Sequence, residues 1–76
     1  MLNIHLVASR HSDQAVQRFT FPRRDLEDAK RRGREAVAED PTLASVQNRP
    51  AAIGFVILDG ANSQELYREY VGEKRA

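Results

Sequence analysis

Residues 52–58 read Ala-Ile-Gly-Phe-Val-Ile-Leu, and this stretch decides the fold. It is the most apolar run in the chain, and its length and its β-branched and aromatic content favour a central strand. The Asp59-Gly60 pair that follows is typical of a turn. The other predicted elements are described below by how they can pack on or pair with this strand.

The segment before this strand has the pattern of one amphipathic helix over residues 24–39. Asp25 is a good N-cap, and Asp28 three residues later forms a capping-box-like pair with it. The residues that share one face of this helix have mostly small side chains, so the helix can approach a sheet closely. This face consists of Leu26, Ala29, Gly33, Ala36 and Val37. Pro41 predicts an end to this helix, and residues 42–47 are expected to form a short second helical turn.

The N-terminal third predicts a hairpin. Leu2, Ile4 and Leu6 alternate with polar residues over 2–8, which indicates a half-buried strand. Residues 15–21 alternate as well, with Phe19 and Phe21 on one face. The polar residues 9–13 lie between the two strands as a loop.

The last element is ambiguous from sequence. Residues 65–71 fit a strand, which would cover the edge of the apolar strand before it. They also fit a helix capped by Asn62, with Leu66, Tyr67, Tyr70 and Val71 as its stripe. If residues 65–71 form a strand, the chain is an α+β domain of order ββαββ, with one helix on a mainly antiparallel four-stranded sheet. The strand order is then 2-1-3-4, or 2-1-4-3 in a β-grasp-like arrangement. If residues 65–71 form a helix instead, the order of elements is ββαβα.

Three short stretches are similar to small proteobacterial domains of unknown function. They are Phe21-Pro22 followed by 25–29 (Asp-Leu-Glu-Asp-Ala), 55–60 (Phe-Val-Ile-Leu-Asp-Gly), and 65–68 (Glu-Leu-Tyr-Arg). Those domains share a hairpin, a helix opening D-L-x-x-A, and a hairpin of the form V-x-D-x-x-G-x-x-L. The chain departs from that pattern at its second turn, residues 60–64. The resemblance implies the fold and no activity.

Length and composition indicate one domain. The 76 residues contain no cysteine, 41% hydrophobic and 30% charged residues, and a net charge of +1. A chain this short is only marginally stable by itself, and without disulfides or a metal its remaining source of extra stability is a partner subunit. We expect a cytoplasmic protein with no membrane span and no signal peptide. Residues 72–76 are expected to form a polar tail.

The sequence contains no constellation typical of an active site. His5 and His11 have no nucleophile or carboxylate placed beside them by sequence, and the acidic residues near Asp25 are explained by the helix N-terminus. There is no glycine-rich phosphate loop. We therefore expect no enzymatic activity, no cofactor and no metal.

Two surfaces remain as candidates for binding. Val7, Val56 and Leu58 are expected on the sheet face that the helix leaves uncovered, which favours a homodimer or a protein partner, and thus an interaction module, adaptor or inhibitor. The alternative is a nucleic-acid-binding accessory protein, in which a basic helix contacts phosphates through Arg23, Arg24, Lys30, Arg31 and Arg34. Neighbouring acidic residues at helical spacing could instead pair with these cations.

Overall fold

The structure is a computed structural model that describes residues 1–11 and 14–71. Its elements are β1 (Leu2–Val7), β2 (Ala15–Phe21), α1 (Leu26–Gln47), β3 (Gly54–Asp59) and β4 (Glu65–Glu69). The strands form one sheet ordered β2-β1-β3-β4, and each neighbouring pair is antiparallel. This confirms the predicted ββαββ fold, the 2-1-3-4 order and a strand as the last element. The predicted tail, residues 72–76, and part of the first loop lie outside the described residues.

The core lies between α1 and the two central strands. Ile4 pairs with Ile57 and Leu6 pairs with Phe55, and all four side chains are fully buried on the helix side of the sheet. Each side chain of this size contributes about 1.5–3 kcal/mol when it is fully buried. The two apolar strands are therefore central because together they bury the most hydrophobic surface.

The small face of α1 brings the helix close to β3. A Cβ atom at Gly33 would lie 2.5 Å from Cδ2 of Phe55, so the ring occupies the place of a side chain. Ala29 and Ala36, one turn to either side of Gly33, are buried as well. The predicted packing face is thus correct, and Gly33 is required by the close contact with the Phe55 ring.

The prediction that the helix stops at Pro41 is wrong. α1 continues through Pro41 to Gln47 and ends at Asn48, whose left-handed backbone (φ 56°) allows its N–H to reach the carbonyls of Ala44 and Ser45. A proline inside a helix removes one hydrogen bond and crowds the preceding turn. Packing on both sides of Pro41 compensates for this cost, because Asp40 and Ala44 are both buried.

Asp40 anchors this part of the helix. Its side chain is 0% exposed and accepts hydrogen bonds from Arg49 (2.8 and 3.1 Å), from the Ala52 N–H (2.7 Å) and from Nε2 of Gln17 (3.2 Å). These partners lie after the helix, before β3 and on β2. One carboxylate therefore joins three parts of the fold.

The helix lies over the two central strands of the sheet. It packs mainly on β3 and β1, and it has few close approaches to either edge strand. A bidentate ion pair between Arg34 and Glu69, at 2.9 Å for both hydrogen bonds, also ties α1 to β4. In the described part of the chain, α1 is the only helix, and it lacks the apolar length needed to cross a membrane.

Candidate interaction surface

The predicted nucleic-acid contacts do not form a free positive patch. Each of these basic side chains lies within ion-pair distance of a carboxylate: Arg23 and Arg31 of Asp28, Arg24 of Asp59, Lys30 of Glu27, and Arg34 of Glu69. Arg32, on the same helix, lies 4.0 Å from Glu35. The charges of the basic helix are thus largely balanced within the chain.

Two of these cations belong to a cluster that joins α1 to β4. The pKa of Glu69 is lowered, first by the hydrogen bond from Arg34 and also by one from the Tyr67 hydroxyl at 2.6 Å. Lys30 lies over the Tyr67 ring, 4.4 Å from its centroid. Arg34 and Lys30 therefore link α1 to β4.

The sheet face opposite α1 carries the three residues predicted for self-association. Register places Val7, Val56 and Leu58 together on that face, where they line one shallow depression. Val7 is 0% exposed and Val56 is 4% exposed, while Leu58 is partly buried. Little apolar surface is therefore left for a partner here, and homodimerisation through this face stays a prediction.

The valines lie under polar side chains of the same face. Tyr70 packs against Gly54, where a Cβ atom would lie 2.8 Å from Cδ1 of the ring, and Gly54 is paired with Val7. Arg68, paired with Val56, donates a hydrogen bond to the Tyr70 hydroxyl at 2.7 Å. The guanidinium of Arg10 lies over the same ring, 4.7 Å from its centroid. The face therefore presents mainly polar groups to solvent.

His5 lies in the middle of this face, between two depressions. Burial lowers its pKa, and the positive charge of Arg18, its partner across β1 and β2, lowers the pKa further. A neutral imidazole is therefore favoured at neutral pH. His11 lies in the exposed first loop, where its N–H donates to Oγ of Ser9. Among the described residues, no group of three or more His, Asp or Glu could hold a metal ion.

A groove lies beside β2. Its volume is about 570 Å³, and it runs between the helix-facing side of β2 and the side of α1. Phe19 and Phe21 form its floor, and Ala36 and Leu43 form its helix wall. Both phenylalanines are only partly buried, and the guanidinium of Arg32 lies over the Phe19 ring, 5.1 Å from its centroid. The groove thus has an aromatic floor, and the charged residues Arg32 and Glu39 of α1 also line it.

The groove borders an open sheet edge. β2 is the outermost strand of the sheet, and within residues 1–11 and 14–71 no strand pairs with its outer side. An edge strand presents a row of backbone N–H and C=O groups that can pair with another chain. Backbone donors and acceptors therefore lie directly beside the apolar floor.

Arg18 is the charged residue at the centre of that edge. It is exposed on the sheet face opposite the groove. No carboxylate of the described residues lies within ion-pair distance of it, whereas the cations of α1 are all paired. Within the described residues, the β2 edge therefore combines an outer side that no strand covers, a groove with an aromatic floor and a positive charge without an ion-pair partner.

No family model, curated protein or solved structure matches this chain. The resemblance to small proteobacterial domains consequently stays a prediction.

Sequence reasoning missed both the β2 edge and Asp40. The alternation of Phe19 and Phe21 is visible in the sequence, but their partial exposure is not. Asp40 lies directly before Pro41, where the sequence predicts the end of the helix, and no local pattern indicates that its side chain is buried. A buried role for it depends on Arg49 and Ala52, and their approach requires the folded chain.

Proposed function

We propose that this protein is a small interaction module that binds an extended segment of a different protein as a fifth strand beside β2. The observation that carries the proposal is the open β2 edge next to the Phe19–Phe21 groove. In strand addition, backbone hydrogen bonds supply affinity and pockets for alternate side chains supply specificity. Both components are present here.

The opposite edge of the sheet is less suited to this role. β4 carries Glu65, Arg68 and Glu69 in ion pairs, and its register with β3 is broken by a bulge between Ile57 and Leu58. Charged side chains and bulges are features that protect sheet edges from pairing. β2 has a bulge only near its start, and residues 17–21 pair regularly with β1.

Charge argues against a second copy of this chain as the occupant. Antiparallel two-fold pairing overlaps the β2 strands most fully when it is centred on Arg18, followed by registers centred on Gln17 or Phe19. The two Arg18 side chains would then be directly or diagonally opposite on one face, and diagonal neighbours are about 7–8 Å apart. Like charges facing each other across strands are destabilising. A strand from another protein avoids this repulsion.

The proposal is tested with peptides selected against the folded protein. A display library of random peptides of about ten residues, long enough for a typical strand, is panned on the wild type. Enriched peptides are then titrated against Leu43→Gln, which alters the groove wall, and against Val46→Gln as the control. Val46 lies on the same helix, is 78% exposed and does not line the groove.

We expect Leu43→Gln to weaken binding by about tenfold, because burying a leucine contributes about 1.5–3 kcal/mol when it is complete and Leu43 is already partly buried. Val46→Gln should change affinity by less than about twofold, as surface substitutions usually do. Failure to enrich any peptide, or equal binding to Leu43→Gln and wild type, would overturn the proposal.

A further inference from the structure

We infer that the strand bound at β2 carries an aspartate or glutamate opposite Arg18, so that Arg18 determines which segments are accepted. This inference rests on the proposed function and adds the chemistry of the partner to it. Arg18 is the central residue of β2, so a strand added along the edge must place a side chain beside it.

The surroundings of Arg18 favour a carboxylate in that position. Asn3, His5, Arg18, Phe19 and Thr20 line one shallow depression on the sheet face. The described acidic residue on this face is Glu65, and it already accepts two hydrogen bonds from Arg68, at 2.8 and 3.1 Å. The positive charge of Arg18 is therefore not balanced locally, and an incoming carboxylate would balance it.

The alternation of a strand extends this requirement to its other residues. Side chains of an added strand point alternately to the two faces of the sheet. Those on the helix side meet the apolar floor formed by Phe19 and Phe21, and the one beside Arg18 points to the opposite face. The expected segment thus has apolar residues at every second position and an acidic residue between two of them.

Charge reversal tests the inference separately from the proposed function. The same peptide library is panned on the wild type and on Arg18→Glu, and one selected peptide is synthesised with Glu, Gln or Lys at its acidic position. Opposite charges across strands are worth about 0.2–1 kcal/mol, and like charges cost a similar amount. The Glu peptide should therefore bind the wild type about 2- to 30-fold more tightly than the Lys peptide, and Arg18→Glu should reverse this order.

Arg34→Gln is the control, because Arg34 is paired with Glu69 at the opposite edge of the sheet. This variant should retain the preference of the wild type for the Glu peptide. If selected peptides bind but show no acidic preference, or if Arg18→Glu leaves the preference unchanged, the inference is overturned while the proposed function stands. If no peptide binds either protein, both are overturned.

The imidazole of His5 provides a readout that does not depend on affinity. Its pKa is lowered by burial and by Arg18, and Glu65 and Arg68 line the depression on its other side. A carboxylate bound beside Arg18 raises the pKa of His5, because a nearby negative charge favours the protonated ring. NMR titration should show this rise with the Glu peptide and a smaller change with the Gln peptide. Equal changes with both peptides would contradict a carboxylate at this position.

Discussion

Replacing Asp40 by asparagine tests how the helix is held past Pro41. The carboxylate is fully buried and accepts four hydrogen bonds, two of them from Arg49. Asparagine has nearly the same shape, but one of its terminal atoms becomes a donor. At least one buried donor, on Arg49 or on the Ala52 backbone, then loses its acceptor.

The expected loss of unfolding free energy is about 3 kcal/mol. Breaking a buried ion pair typically costs about 3–5 kcal/mol. The lower end applies because the Arg49 side chain is 15% exposed and can turn toward water. Such a loss is large against the total of about 5–15 kcal/mol for a domain. Urea denaturation followed by far-ultraviolet circular dichroism measures it, and Glu39→Gln, an exposed neighbour on the same helix, should lose less than about 0.5 kcal/mol.

The effect should also depend on pH in a defined direction. The hydrogen bonds from Arg49 lower the pKa of Asp40 below its ordinary value of 3.8, the Ala52 N–H lowers it further, and burial opposes both. Because the folded-state pKa is depressed, the stabilisation is fully present above that ordinary value and is lost as the pH falls through the folded-state pKa. The difference between wild type and Asp40→Asn should therefore shrink below pH 3.8. A loss under about 1 kcal/mol at pH 7, the size of one ordinary hydrogen bond, would refute this reasoning, as would a difference that does not change in acid.

Three further results are expected. Gly33→Ala should lower the melting temperature although alanine favours helices by about 1 kcal/mol, because the new methyl group meets the Phe55 ring; a higher melting temperature in calorimetry would contradict this close contact. Light scattering at about 100 μM should show more self-association for Arg18→Thr than for the wild type, because the substitution removes the repulsion between β2 edges. Identical behaviour of the two proteins would show that Arg18 does not prevent pairing at this edge. Anisotropy titrations at about 50 mM salt should detect no binding of single- or double-stranded DNA or RNA, since the helix cations are paired; binding that weakens steeply with salt would favour the nucleic-acid alternative.

The first three strands were accessible from sequence because each depends on a local pattern. The sequence leaves the last element open between strand and helix, and the strand order open between 2-1-3-4 and 2-1-4-3. The period of two in β1 and the apolar run around Phe55 identify the two central strands by themselves. The small face around Gly33 likewise predicts a close helix–sheet contact. Residue type and spacing are enough to predict these strands and this contact.

The surfaces could not be predicted in the same way, because they depend on contacts between distant residues. The cations Arg24 and Arg34 look available in the sequence, but their carboxylate partners lie thirty-five residues further along the chain. Val7 is buried on the sheet face away from α1, where the register pairs it with Gly54, the residue against which Tyr70 packs. The groove beside β2 likewise brings together residues that are distant in the sequence, such as Phe19 and Leu43.

The most direct test of strand addition at β2 is an NMR titration of the isotope-labelled protein with a selected peptide. We predict that the largest amide shifts fall on residues 15–21 and that cross-strand contacts join the peptide backbone to β2. The outward-facing amides of β2 should also become protected from hydrogen exchange, because an added strand supplies their acceptors. Shifts confined to β4, to the basic side of α1 or to the Val7–Val56 face, with β2 amides unchanged, would contradict the account.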